Sequence, residues 1–204
     1  MEPTEHNRRA WDEVHRRRAE VMRDDLGLPE QVKRSLGDLK GKRVLHLQCA
    51  TGESTLELAE LGAIVTGVDI SNEALDVARE RESSVLWVQA DVQALPAELR
   101  RGRFDLVYTA EGVLVWLQDL DAWAAGIESA LKSGGDFLLF EAHPVSQCVD
   151  SMMRWREDYF DSSTEVAVGW THFDLPGEPA REQKYERFWR LGQIVTSLAR
   201  TGLV

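Results

Sequence analysis

Asp69 is the residue whose position first suggests chemistry. It ends an apolar run in the stretch Arg43 to Asp69, RVLHLQCATGESTLELAELGAIVTGVD, about 20 residues after a short strand that enters a tight turn at Gln48, Ala50 and Gly52. An acid in that place suits the two hydroxyls of a ribose. Gly52 lacks a Cβ where a ligand would approach the backbone, and the helix that follows starts with unpaired N–H groups. The chemistry expected is recognition of a nucleoside-type cofactor. A metal is not expected, because His46, His172, Cys49 and Cys148 show no ligand spacing and no paired carboxylates support them. Bland packing is the reading preferred for Cys49, although it stands in the turn.

The elements that must position these residues follow from periodicity. Val44, Leu45 and Leu47 form one apolar run; Leu56, Leu58, Ala59 and Leu61 recur at helical spacing; a second run leads to Asp69. Ser71 is placed to cap a helix through Ala74, Leu75, Val77 and Ala78. Val85 to Gln89 reads as a third strand, Arg103 to Thr109 as a fourth and Asp136 to Glu141 as a fifth, with a helix between the last two from Asp119 or Asp121 to Gly134-Gly135. The fifth run barely alternates, as expected when helices cover both faces. Upstream, Trp11, Val14, Ala19, Met22 and Leu26 predict an amphipathic helix from Thr4, its candidate cap, to Leu26; Val32, Leu36 and Leu39 predict a shorter one before Gly41. Downstream, residues 145–187 carry many aromatics and one helix at Met152 to Tyr159, and Phe188 to Arg200 forms a last helix with Leu191, Ile194, Val195 and Leu198 inward, ended by Thr201-Gly202.

Composition narrows the class. A chain of 204 residues, 43% hydrophobic, suffices for one α/β domain with a full core. The formal net charge of −11 repels nucleic-acid phosphates, and Arg16-Arg17-Arg18 reads as a solvated helix face. Two cysteines are too few for a disulfide framework. No apolar segment reaches the roughly 20 residues of a membrane span, and the N-terminus lacks a signal-peptide core. A cytoplasmic protein is expected.

Two cofactors fit a strand, turn, helix and acid. A nicotinamide site needs Gly-x-Gly-x-x-Gly to admit a pyrophosphate, and Gln48 and Ala50 break that pattern. Polar side chains there suit a cofactor with an amino-acid tail, which is S-adenosylmethionine. VLHLQCATG with LGAIVTGVDIS, then FDLVYTAEGVLVWLQDL and LKSGGDFLLFEAHPV, resembles the class I S-adenosylmethionine-dependent methyltransferases, and especially a bacterial branch that carries LHLQC. The commoner pattern of the family has an acid where His46 stands and glycines where Gln48 and Ala50 stand.

The resemblance implies a doubly wound, Rossmann-like, mostly parallel sheet of order 3-2-1-4-5 in a single domain. Residues 1–40 would be a helical lid, 41–143 the cofactor core, 144–187 a substrate cap and 188–204 a terminal helix. It places the cofactor on His46, Gln48, Cys49, Ala50, Gly52, Asp69 and Ile70, with adenine at Asp91 and Val92, and on Thr109 at the end of strand four. Gln48 would meet the methionine end. Alone, Asp91 reads as a helix cap or turn acid; its register with Asp69 turns the reading towards binding. Trp11, in NRRAWDEV, either covers the cofactor or packs its helix on the sheet. Residues 145–187 leave the ligand end of strand five, so they read as a lid or as plain packing.

Methyl transfer from a sulfonium has a neutral leaving group, so alignment and desolvation carry much of the catalysis. A base, where an oxygen or nitrogen acceptor needs one, belongs at the tips of strands four and five, where Glu111 and His143 stand. Each also reads plainly, Glu111 as a solvated loop acid and His143 as a structural histidine beside Pro144. The acceptor expected is a small molecule attacked through O or N, with no nucleic acid or membrane partner and a homodimer left open. A cofactor-binding protein without turnover is the alternative, ahead of a nicotinamide oxidoreductase. In the resembled family a further strand pair follows the last helix. The sequence reaches Val204 where it would begin, so strand five is expected either to want that pair or to be shielded by 145–187 or a neighbouring chain.

Overall fold

The computed structural model describes residues 2–18, 27–161, 163–170 and 180–203. Ala19, Met22, Leu26, His172 and Phe173 lie outside them. Five strands, β1 (Arg43–Leu47), β2 (Ile64–Asp69), β3 (Leu86–Gln89), β4 (Phe104–Ala110) and β5 (Leu131–Phe140), form one sheet of order β3-β2-β1-β4-β5, parallel throughout. The central strand shows why the sequence folds this way. Leu45 and Leu47 enter one core, with Val107, Trp123, Ile127 and Leu198, while Val44 enters the other, with Leu58, Leu106 and Tyr108. Both faces of β1 are dry, so apolar residues run on without alternation.

The helices are α1 (Pro3–Arg18), α2 (Glu30–Ser35), α3 (Glu53–Glu60), α4 (Asn72–Arg81), α5 (Leu120–Ala130) and α6 (Leu191–Thr201). Ser71 caps α4 by accepting from the Ala74 N–H, and Asp119 caps α5 by accepting from Ala122. Thr4 is no cap, because α1 already begins at Pro3, whose fixed φ and missing N–H suit the first turn. Gly134-Gly135 do not stop α5 either. The helix ends at Ala130, Leu131 pairs at once with Phe104, and Gly134 (φ 74°) lies in the irregular stretch before Asp136 rejoins the ladder at Leu106. In α6, Ile194, Ser197 and Leu198 are buried whereas Leu191 and Val195 are exposed.

The segment after β5 departs most from expectation. No helix forms over 152–159, since the Asp150 carboxylate accepts from the Met152 and Arg154 N–H groups and from the Arg154 and Arg156 side chains, a local alternative to helical bonding. Instead β6 (Thr164–Val168) and β7 (Gln183–Arg187) make an antiparallel ribbon. The ribbon lies against α1. The Asn7 side chain accepts from the Tyr185 N–H at 2.7 Å and donates to the Tyr185 carbonyl at 2.9 Å, and Glu13 accepts from the N–H groups of Arg181 and Glu182. It does not pair with β5, which with β3 forms the two edges of the sheet among the described strands. No described helix is long and apolar enough to cross a membrane.

Candidate functional site

The site begins where β1 enters its turn. The Cys49 N–H still bonds the Val68 carbonyl, extending the ladder, but Gln48 (φ 53°), Ala50 (φ 47°) and Gly52 (φ 90°) turn left-handed. Asp69 clamps the turn. One carboxylate oxygen accepts from the Ala50 N–H and the other from the Ser71 N–H, both at 2.8 Å. Burial pushes this acid up to about 6 despite the N–H donors, which pull the other way. Gly52 serves a different purpose from the one expected. A Cβ there would lie 2.6 Å from the Trp87 ring, so its bare backbone admits a core tryptophan rather than a ligand.

A cavity of about 830 Å³ opens at the C-terminal ends of the strands. Trp11, His46, Gln48, Cys49, Ala50, Asp69 and Ile70 line it, as do Asp91, Val92 and Glu111. Gly52, Thr109 and His143 are absent from its wall. Thr109 is fully buried and donates to the Gln48 side chain, whose amide in turn donates to the Val113 carbonyl at 3.0 Å. Gln48 thus ties the turn to the loop after β4. His143 is exposed, its Nδ1 accepting from the Val145 N–H to cap the short 3-10 helix Pro144–Cys148. Asp91 lines the cavity and also caps, accepting from the Gln93 N–H at 2.9 Å.

Chemistry differs among the lining groups. His46 shares a 2.7 Å hydrogen bond with the Thr55 hydroxyl and packs on Tyr108, ring centroids 4.8 Å apart; burial takes it down to about 3, so it is neutral. Burial likewise pushes the Cys49 thiol up, away from the reactive thiolate. Glu111, left-handed at φ 62°, has its carboxyl raised by burial and by the charge of Glu141. The Glu141 carboxylate accepts from the N–H groups of Gly112 at 2.9 Å and Val113 at 2.7 Å, fixing the loop that carries Glu111.

Several site residues escape sequence reasoning. Tyr108 reads as core, yet its hydroxyl is buried in the cavity wall without a hydrogen-bond partner among the described residues. Asp12 accepts from the Ser71 hydroxyl at 2.8 Å and seats α1 beside Asp69. Trp116 joins Trp11 and Trp170 in a cluster with centroids 4.7–5.4 Å apart. Asn7 and Asp12 fall in the NRRAWDEV segment and Tyr108 and Trp116 in FDLVYTAEGVLVWLQDL, but no spacing singles any of them out within those stretches.

Residues 44–135 match the model of a methyltransferase domain. An uncharacterized methyltransferase of Synechocystis is 36% identical over 107 residues, covering 52% of this chain and 50% of that protein. The chain therefore spans about half the length of this curated relative. Among solved structures, the CcbJ methyltransferase of Streptomyces caelestis superposes with a TM-score of 0.68 over 97% of this chain and 87% of that one, at 18% identity. An S-adenosylmethionine dependent methyltransferase of Mesorhizobium loti gives 0.64 over 84% and 78%, at 23% identity. These likenesses attest the fold. The match to a methyltransferase domain runs from Val44 in β1 to Gly135 in β5, so this stretch, on the fold those structures share, is similar to the class I S-adenosylmethionine-dependent methyltransferases.

Proposed function

We propose that the chain binds S-adenosylmethionine across the cavity and transfers its methyl group to an oxygen or nitrogen of a small-molecule acceptor. The observation that carries this reading is one continuous cavity with Asp69 at the β2 end and Glu111 at the β4 end. The Asp69 carboxylate, already polarised by two N–H groups, retains lone pairs for ribose hydroxyls. Ile70 and Val92 offer apolar contact to adenine, and Asp91 an acceptor for its amino group. His46, neutral where the family pattern has an acid, and the unpartnered Tyr108 hydroxyl suit the amino-acid end, with Gln48 shaping the wall between them.

Bound there, the cofactor would supply an electrophilic methyl carbon on a sulfur that leaves neutral. The chain's own work is to align the acceptor, exclude water and hold the released proton at the Glu111 carboxylate. A base with a raised pKa acts only after losing its own proton, so turnover should rise with pH through that ionisation. The −11 charge favours a small acceptor over nucleic acid, and the LHLQC phrase favours the bacterial branch that carries it. Calorimetric titration with S-adenosylmethionine, S-adenosylhomocysteine and NAD, then turnover on an acceptor panel, tests the reading. Preference for NAD would overturn it; tight S-adenosylhomocysteine binding with no turnover on any acceptor would favour a binding protein without catalysis.

A further inference from the structure

We propose that the acceptor is a flat aromatic compound, neutral or cationic, such as a phenol or an aromatic amine, lying against Trp116 with its attacked atom towards Glu111. The proposal rests on the transferase reading. It starts from the sheet order, in which β2 and β3 lie on one side of β1 and β4 on the other. Asp69, Ile70 and Asp91 thus leave the nucleoside half of the cavity at β2 and β3, and the loop after β4, from Glu111 to Trp116, forms the remaining half.

That half is built for a ring. Trp116 and Trp11 meet edge to face at 5.1 Å and both line the cavity. Such an aromatic wall offers stacking and edge contacts worth more than area burial alone. Trp116 is also held firmly. Trp170 backs it at 5.4 Å, the Glu141 carboxylate secures the preceding backbone and Asn7 reaches its carbonyl.

The charges decide which ring. The lining includes Glu53, Asp69, Glu80, Asp91 and Glu111, whereas the one Lys or Arg side chain among the described lining residues is Arg81, which is bonded to Glu53. The buried Lys184 ammonium is not part of the lining; it stands 4.9 Å over the Trp170 ring and 5.8 Å over the Trp116 ring and is paired with Glu186 at 2.9 Å. A carboxylate or phosphate on the acceptor would meet Glu111 with Glu141 behind it, while the described cations nearby, Arg81 and Lys184, are already paired with Glu53 and Glu186. Like charges brought together out of water disfavour binding strongly, whereas a neutral or positive ring meets no such penalty and gains cation–π contact where it is charged.

The test uses the protein saturated with S-adenosylhomocysteine and calorimetry on matched pairs, catechol against protocatechuate and tryptamine against indoleacetate. The uncharged or cationic member of each pair should bind about tenfold tighter or better. Trp116→Ala should weaken both rings at least about fivefold more than it weakens S-adenosylhomocysteine, and Trp116→Phe should restore most of the loss. Glu111→Gln should narrow the gap within each pair. Carboxylates that bind as well as their partners, or rings of either charge that fail to bind a protein still holding S-adenosylhomocysteine, would overturn the proposal alone. Failure to hold S-adenosylhomocysteine would instead remove the transferase reading beneath it.

Discussion

Asp69→Asn separates the two duties of the carboxylate. In the folded protein it accepts backbone N–H groups on both oxygens, at 2.8 Å each. An amide has one acceptor oxygen, so one N–H in this buried clamp loses its partner, at about 1–3 kcal/mol. Removing the charge works the other way. Burial lifts the acid from 3.8 to about 6, so above pH 6 holding it ionised costs the fold about 3 kcal/mol, at ~1.4 kcal/mol per pH unit. The sign is that of a raised folded-state value: this stability is fully present below pH 3.8 and is lost as pH climbs through about 6. The two changes nearly cancel at neutral pH, and thermal unfolding of the free variant should stay close to that of the parent. Binding should not cancel. Ribose hydroxyls need the ionised form, and losing a charged hydrogen bond costs roughly 1.5–3 kcal/mol, a loss of about tenfold or more in affinity. In the parent, a proton competes with the ligand, so affinity for S-adenosylhomocysteine should fall about tenfold from pH 8 to pH 5. Calorimetry across that range reads both effects. Equal affinity in the variant, or the same pH dependence in both proteins, would refute the ribose assignment.

Three further outcomes follow from the same geometry. Gly52→Ala should lower unfolding free energy in denaturant by about 2–4 kcal/mol, because a left-handed φ is strained for alanine and the new Cβ would strike the Trp87 ring. Ala50→Gly should stabilise by up to about 1 kcal/mol in the same assay, the relief at φ 47° exceeding the added chain entropy of glycine. Asn7→Ala removes two hydrogen bonds to Tyr185, at about 1–2 kcal/mol, and hydrogen exchange should quicken in β7 while β1 stays protected.

What the sequence makes legible divides by the range of the cause. The parallel core is readable because VLHL, IVTGV and DLVY are apolar on both faces, and only a sheet covered by helices buries such runs. Ser71 and Asp119 are readable as caps because capping acts within three residues. The β6–β7 ribbon is not readable. QKYER is polar and carries no alternation, and its extended form comes from pairing with TEVAV and from Asn7, 178 positions away from Tyr185.

The same distinction governs the candidate site. Asp69 and Glu111 stand at strand tips, which periodicity locates, and both reach the cavity. His143 stands just past a strand tip and does not, because Glu141 turns back to bind the N–H groups of Gly112 and Val113 and the chain leaves outward beyond it. Tyr108 shows the converse. On β4 it is indistinguishable by pattern from its buried neighbours, and only its register against His46, with no partner for its hydroxyl among the described residues, marks it as part of the wall. Gln48 joins both cases, since a polar residue at a left-handed position reads as a ligand contact until the structure shows its amide spent on Val113 and Thr109. That leaves the neutral pair His46 and Tyr108 as the groups proposed to meet the amino-acid end of the cofactor. On the proposed reading the ammonium end is recognised there by hydrogen bonding, so Tyr108→Phe should weaken S-adenosylhomocysteine by about 0.5–1.5 kcal/mol in calorimetry while leaving adenosine, which lacks that end, almost unchanged; equal losses for both ligands would refute the assignment.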